Sequence, residues 1–280
     1  MNLIWALMGY LVTIIIQALG VSAVLSSSIA GVIASCLAIA LKDNKNYSAS
    51  AFCGSFAGMT SLSLIFGKEN NIFSKKCMLL TLLLGFILSF VYFFISKLNS
   101  KNKFSKYLFN GYGGRLGAIA FISVLIFIIL KSFLLNEFSF LPIQKNITET
   151  NCFLLIFITC IGAFATSRLS NLSVFIKNSN YKILIPALLS FLAYIIFCNF
   201  SANSAIFSQA FYAGTFVGMS SIDLLPKKGT IFAGTLTGII LTFAENIFKG
   251  VGGKLGFTAF IAVLITIVMK ELYAKFSLLK

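Results

Sequence analysis

Glycine set beside hydroxyl residues is the strongest chemical signal in this chain, and it occurs twice in the same order. Gly54-Ser55-Phe56-Ala57-Gly58-Met59-Thr60-Ser61 returns as Gly214-Thr215-Phe216-Val217-Gly218-Met219-Ser220-Ser221. Glycines four apart share one helix face and let a second backbone come close. Beside the face made by Gly54 and Gly58, or by Gly214 and Gly218, stand the hydroxyls of Ser55, Thr60 and Ser61, or of Thr215, Ser220 and Ser221. Together with glycine-exposed carbonyls they would offer a polar solute neutral donors and acceptors. Phe52, Phe56, Tyr212 and Phe216 would supply walls or constrictions. The same spacing also serves plain helix packing, so both readings stand.

A second motif recurs later in each half. Phe109–Lys131 returns as Phe248–Lys270 with 14 of 23 positions identical. Its head is Asn110-Gly111-Tyr112-Gly113-Gly114-Arg115-Leu116-Gly117, against Lys249-Gly250-Val251-Gly252-Gly253-Lys254-Leu255-Gly256. The spacing is neither GxGxxG after a strand nor GxxxxGK[ST], so a nucleotide site is not indicated. One reading is a flexible break between helices, with the basic residue marking the water boundary. The other is a broken segment whose amides and cation meet a polar or anionic solute, because irregular backbone at membrane depth must line a cavity or be buried in protein. Arg115 and Lys254 would then guard two entrances.

Ionisable groups inside apolar sequence are functional candidates by default. The chain has seven acidic residues, and only Asp223 and Glu245 fall near helix ends instead of in loops or at chain ends. Either would be the candidate for coupling or gating. Gln17 is the remaining buried polar candidate, for solute contact or for bonding between helices. With no carboxylate at mid-span, a proton relay is poorly served. There is no histidine, and the six cysteines stand singly without a CxxC pair. Neither a metal site nor a cofactor is expected. General acid–base or nucleophilic chemistry also lacks its groups, so the chain is not expected to be an enzyme.

The elements that position these residues are apolar helices. Of the chain's 280 residues, 59% are hydrophobic and 10% charged, and the mean hydropathy is +0.98. These values lie outside the soluble globular range and place the protein in a lipid bilayer. Ten spans are predicted. Asn2–Gly20, Ser22–Leu41, Ser48–Phe66, Cys77–Ile95 and Arg115–Leu135 make the first half. Asn151–Ser167, Tyr181–Phe200, Ser204–Leu225, Gly229–Phe248 and Lys254–Leu272 make the second. Pro186 is expected to kink the seventh span. The first copy's longer spacing is attributed to extra loop at Gly67–Ser74 and Val91–Leu108. The net charge of +15 comes from basic residues in short loops, which suits topology and not nucleic acid. Alternating the spans divides the 22 basic residues 15 to 7, which predicts both termini in the cytoplasm. No cleavable signal is expected at the N-terminus, and the residue bias suggests a bacterial inner membrane.

Ten spans over two copies leave five per copy, an odd number, so the copies at 1–140 and 141–280 must face opposite ways across the membrane. The length and the five-plus-five arrangement resemble the drug/metabolite transporter superfamily and, more loosely, the urea channels. The motifs match neither family's signature, and no family residue is carried over. The expectation is a transporter or channel for a small polar or anionic solute, with its site where the inverted repeats meet. The alternative is a non-transporting subunit, scaffold or lipid-handling protein of a larger complex. A homo-oligomer or a membrane partner is compatible with either.

Overall fold

The structure, a computed structural model, describes residues 1–42, 47–67, 74–101, 110–135, 152–172, 179–200, 203–244 and 247–278. Over these residues the chain is helical with no strand. The helices are α1 Asn2–Ala18, α2 Ala23–Ala40, α3 Tyr47–Gly58, α4 Leu62–Phe66, α5 Lys75–Lys101 and α6 Arg115–Leu135. They continue as α7 Cys152–Ser170, α8 Tyr181–Phe200, α9 Ser204–Gly218, α10 Lys227–Ala244 and α11 Lys254–Leu278. Six of them (α2, α5, α6, α7, α8 and α11) are long and apolar enough to cross a membrane. Phe86, Phe90, Phe133, Phe153, Phe157 and Phe243 all point outward. An apolar exterior of that kind belongs in lipid, and the protein is a helical integral membrane protein.

Several boundaries differ from the sequence expectation, and the differences are instructive. The third span stops at Gly58 and resumes as the short α4, and the eighth stops at Gly218 and runs on as turns. In both places the backbone leaves the helix because its donors are taken elsewhere. The Ser61 N–H donates to the Gly250 carbonyl at 2.8 Å, and the Ser221 N–H donates to the Gly111 carbonyl at 2.8 Å. The fourth span, expected to end at Ile95 and give way to extra loop, instead continues as helix to Lys101. The helix α8 runs through Pro186. Cys53 and Cys77 are buried core residues, whereas Cys36, Cys152 and Cys198 face outward.

The glycine-rich loops are docked, not loose. Gly111 and Gly114 hold φ of +82° and +78°, and Gly250 and Gly253 hold +76° and +79°. Other residue types rarely adopt that backbone. Between them, a Cβ on Gly113 would lie 2.2 Å from the Phe216 carbonyl oxygen, and one on Gly252 would lie 2.6 Å from that of Phe56. Each loop therefore sits on the broken end of the other half's motif helix. The Gly113 N–H donates to Ser220 Oγ at 3.0 Å, and the Gly252 N–H to Thr60 Oγ1 at 3.2 Å. Beyond the loops, α6 and α11 meet backbone to backbone at Gly117 and Gly256. The Gly-x-Gly-Gly-basic-Leu-Gly spacing is thus explained by turn conformation and close approach.

The lysines that close the two repeated blocks hold the short segment after each break. Lys131 Nζ donates to the Leu64 carbonyl at 2.9 Å, and Lys270 Nζ to that of Leu224 at 3.3 Å. Lys131 is buried and Lys270 exposed, although charge counting treated both as cations at the membrane surface. Burial decides the size of the effect. Lys131→Met is expected to cost about 1–3 kcal/mol, the range for orphaning a buried polar group. Lys270→Met is expected to cost less than about 1 kcal/mol, as for exposed contacts. Thermal unfolding in detergent checks the ordering, and an equal loss for both would show that burial is not what matters.

Candidate functional site

The two motif helices, α3 and α9, meet through four aromatic rings. Phe56 and Phe216 stack edge to face with centroids 4.8 Å apart, and Phe52 and Tyr212 close on them from either side. None of the four is more than 2% exposed, so together they seal the space between the helices. Gly31 on α2 makes room for this cluster, since a Cβ there would lie 2.6 Å from the Phe52 ring.

A small polar node is buried against the rings. Ser27 Oγ lies 3.0 Å from Ser55 Oγ and 3.0 Å from the Tyr212 hydroxyl. This links α2, α3 and α9, and so ties the first half to the second. The triple serine 26–28 weakened the second span in a hydropathy reading. In the structure all three are fully buried, with Ser26 and Ser28 bonding back to their own helix. A further side-chain bond between the halves is made by Ser48, whose hydroxyl donates to Asn180 Oδ1 at 2.6 Å.

Two polar cavities flank the aromatic cluster. The first, about 290 Å³, is lined by Arg115 and its glycine loop, by Lys182, and by Ser48, Phe56, Phe216 and Ser221 among others. The second, about 430 Å³, is lined by Lys254 and its glycine loop, by Lys249, and by Gln17, Met59, Ser61 and Gln209 among others. The first lies at the start of α3 and the end of α9, and the second at the end of α3 and the start of α9. The two motif helices therefore run in opposite senses between the cavities, one cavity at each end of the pair.

The residues singled out in the sequence divide on this geometry. Phe56, Ser61, Arg115, Phe216 and Ser221 line a cavity, as do Gln17 and Lys254. Gln17 also donates its amide to the Gly58 carbonyl, the last of α3. Ser55 and Thr215 are buried in the helix pair and bond back to the carbonyls of Phe52 and Tyr212. Thr60 and Ser220 accept the loop amides described above. Gly54 and Gly58 face α1, and Gly214 and Gly218 face α7, all in backbone contact. The glycine stripes thus serve helix packing within each half and line neither cavity, because a second helix already fills the space they open. Asp223 is exposed in the turn after α9 and lines neither cavity. Glu245 lies outside the described residues.

Sequence reasoning passed over Lys182, Lys249, Gln209 and Ser27. The two lysines were absorbed into the topology count. Gln209, a lone amide in an apolar helix, and Ser27, central in a serine triplet, carried the signal that could have found them. Among the described residues no cluster of side chains is arranged to hold a metal ion. Compared with protein-family models, with curated proteins and with solved structures, the chain matches none.

Proposed function

We propose that this protein is an integral membrane transporter or channel for a small polar or anionic solute, with its path between the two sequence copies. The observation that carries this reading is the arrangement of a polar cavity at each end of an oppositely running helix pair, with an aromatic seal between them. A solute path through a membrane needs two mouths and a barrier that separates them, and substrate sites of many carriers lie where inverted repeats meet, on broken helices.

The helix lengths fit that architecture. At ~1.5 Å per residue, α3 and α9 reach about 18 and 22 Å, short of a hydrocarbon core of ~30 Å. Neither crosses alone, and each is completed by the segment after its break. Counting them with their continuations, and adding α1 and α10, gives ten crossings in two inverted sets of five, with both termini cytoplasmic. The first cavity then opens to the cytoplasm and the second to the opposite side.

The test is flux into liposomes that carry the purified full chain. Stopped-flow scattering with urea and glycerol, and tracer uptake of nitrate, formate and phosphate, are compared with protein-free vesicles. At least one solute is expected to cross faster through the protein. If none does, a non-transporting role takes the place of this reading.

A further inference from the structure

Resting on the transport reading above, we infer that the solute is a small anion, and that the cavity bounded by Arg115 and Lys182 is a binding site for it. The inference turns on which charges line the mouths. Among the described residues, Arg115 and Lys182 line the first cavity and Lys249 and Lys254 the second, and the described lining of neither includes a carboxylate. Positive charge attracts an anion into a low-dielectric vestibule and repels a cation.

Topology alone does not account for this pattern. The preference for lysine and arginine on the cytoplasmic side places cations at one face of a membrane protein. The two cavities lie at opposite ends of the α3–α9 pair, so whichever end is cytoplasmic, the rule explains one basic pair and leaves the other. Matched cations at both mouths are what an anion path needs, because the solute must be received and released on each side.

The first cavity has the finer construction. Arg115 Nη1 donates to Asn110 Oδ1 at 2.6 Å, which orients the guanidinium. The Lys182 ammonium has no partner among the described residues. Hydroxyls of Ser48, Ser179 and Ser221 lie around the same space. A cation fork and an ammonium, with the Ser221 hydroxyl beside them, match an oxyanion's need for charge-assisted hydrogen bonds from more than one direction. In the second cavity Lys254 reaches the Ala244 and Ile247 carbonyls at 3.3 and 3.5 Å. Cavities of about 290 and 430 Å³ have room for inorganic anions and short carboxylates.

The experiment pairs binding with flux on the full chain. Thermal unfolding in detergent is followed with sodium nitrate, formate or phosphate against sodium gluconate at equal ionic strength. The same three anions, with urea as the neutral comparison, are measured in liposomes. One of the anions is expected to raise the unfolding midpoint with a saturable dependence and to cross the membrane. In Arg115→Gln and Lys182→Gln its apparent affinity should fall tenfold or more, and Arg115→Lys, which keeps the charge, should recover part of it. Urea flux without any anion effect would overturn the anion inference and leave transport standing. Anion binding with no flux of any solute would uphold the site and remove transport. No binding and no flux would overturn both.

Discussion

Gly54→Ala and Gly214→Ala should each yield little or no correctly folded protein, although each adds one methyl group. At residue 54 the new Cβ would stand 1.9 Å from the Ala6 carbonyl oxygen and 2.9 Å from the Tyr10 nitrogen. At residue 214 it would stand 2.1 Å from the Thr159 carbonyl oxygen. Every one of these neighbours is backbone, so no side chain can rotate away and the helices themselves must part. Overpacking a tight interface typically costs about 1–3 kcal/mol and occasionally more, and contact with rigid backbone belongs at the upper end. A protein whose whole stability is about 5–15 kcal/mol loses a large share of it.

Gly229→Ala is the comparison. Its nearest neighbour would be the flexible end of Leu225, at 3.2 Å. Replacing a helical glycine by alanine gains roughly 0.5–1 kcal/mol, so this variant should unfold within about 1 kcal/mol of the parent. The measurement is the yield of monodisperse protein together with its unfolding midpoint in detergent. A Gly54→Ala protein that unfolds normally but no longer conducts would move the glycine face into the solute path, contrary to the packing described above.

That contrast also marks what a sequence can and cannot disclose here. The membrane class was legible because length and apolarity alone decide it, and Arg115–Leu135 and Tyr181–Phe200 were bounded as observed. Both are long, strongly apolar helices flanked by glycine or polar residues. The repeat was legible because identical side chains recur in order. The break at Met59–Ser61 was not, because Leu62–Phe66 is as apolar as the helix before it. What interrupts the helix is a carbonyl at Gly250, far away in sequence. A four-residue glycine spacing is likewise silent on whether the opposing surface is a helix or a cavity. Lys131 shows the reverse failure. Its charge placed it at a membrane boundary in the count, while the fold buries it against Leu64. Hydropathy also penalised the serines at 26–28, yet Ser27 joins three helices. In each case the missing information is a partner distant in sequence.

The seal between the cavities gives the largest functional expectation. Phe216 touches all three of its companions, with centroids 4.4 Å from Tyr212, 4.8 Å from Phe56 and 6.2 Å from Phe52. Phe216 lines the first cavity, so removing its ring enlarges that cavity towards the other end of the helix pair. Phe216→Ala is therefore expected to raise solute flux at least tenfold, equivalent to taking about 1.4 kcal/mol off the barrier. Selectivity should fall with it, so that urea and small anions cross at more nearly equal rates. The variant will also lose stability, since emptying a buried aromatic position costs roughly 3–5 kcal/mol. Two controls separate the effects. Phe216→Leu keeps most of the volume and should keep the seal. Phe197→Ala removes a ring that packs on Phe207 and Phe211, away from the cavities, and should destabilise without raising flux. Should Phe216→Ala fold and conduct at the parent rate, the path does not run between α3 and α9.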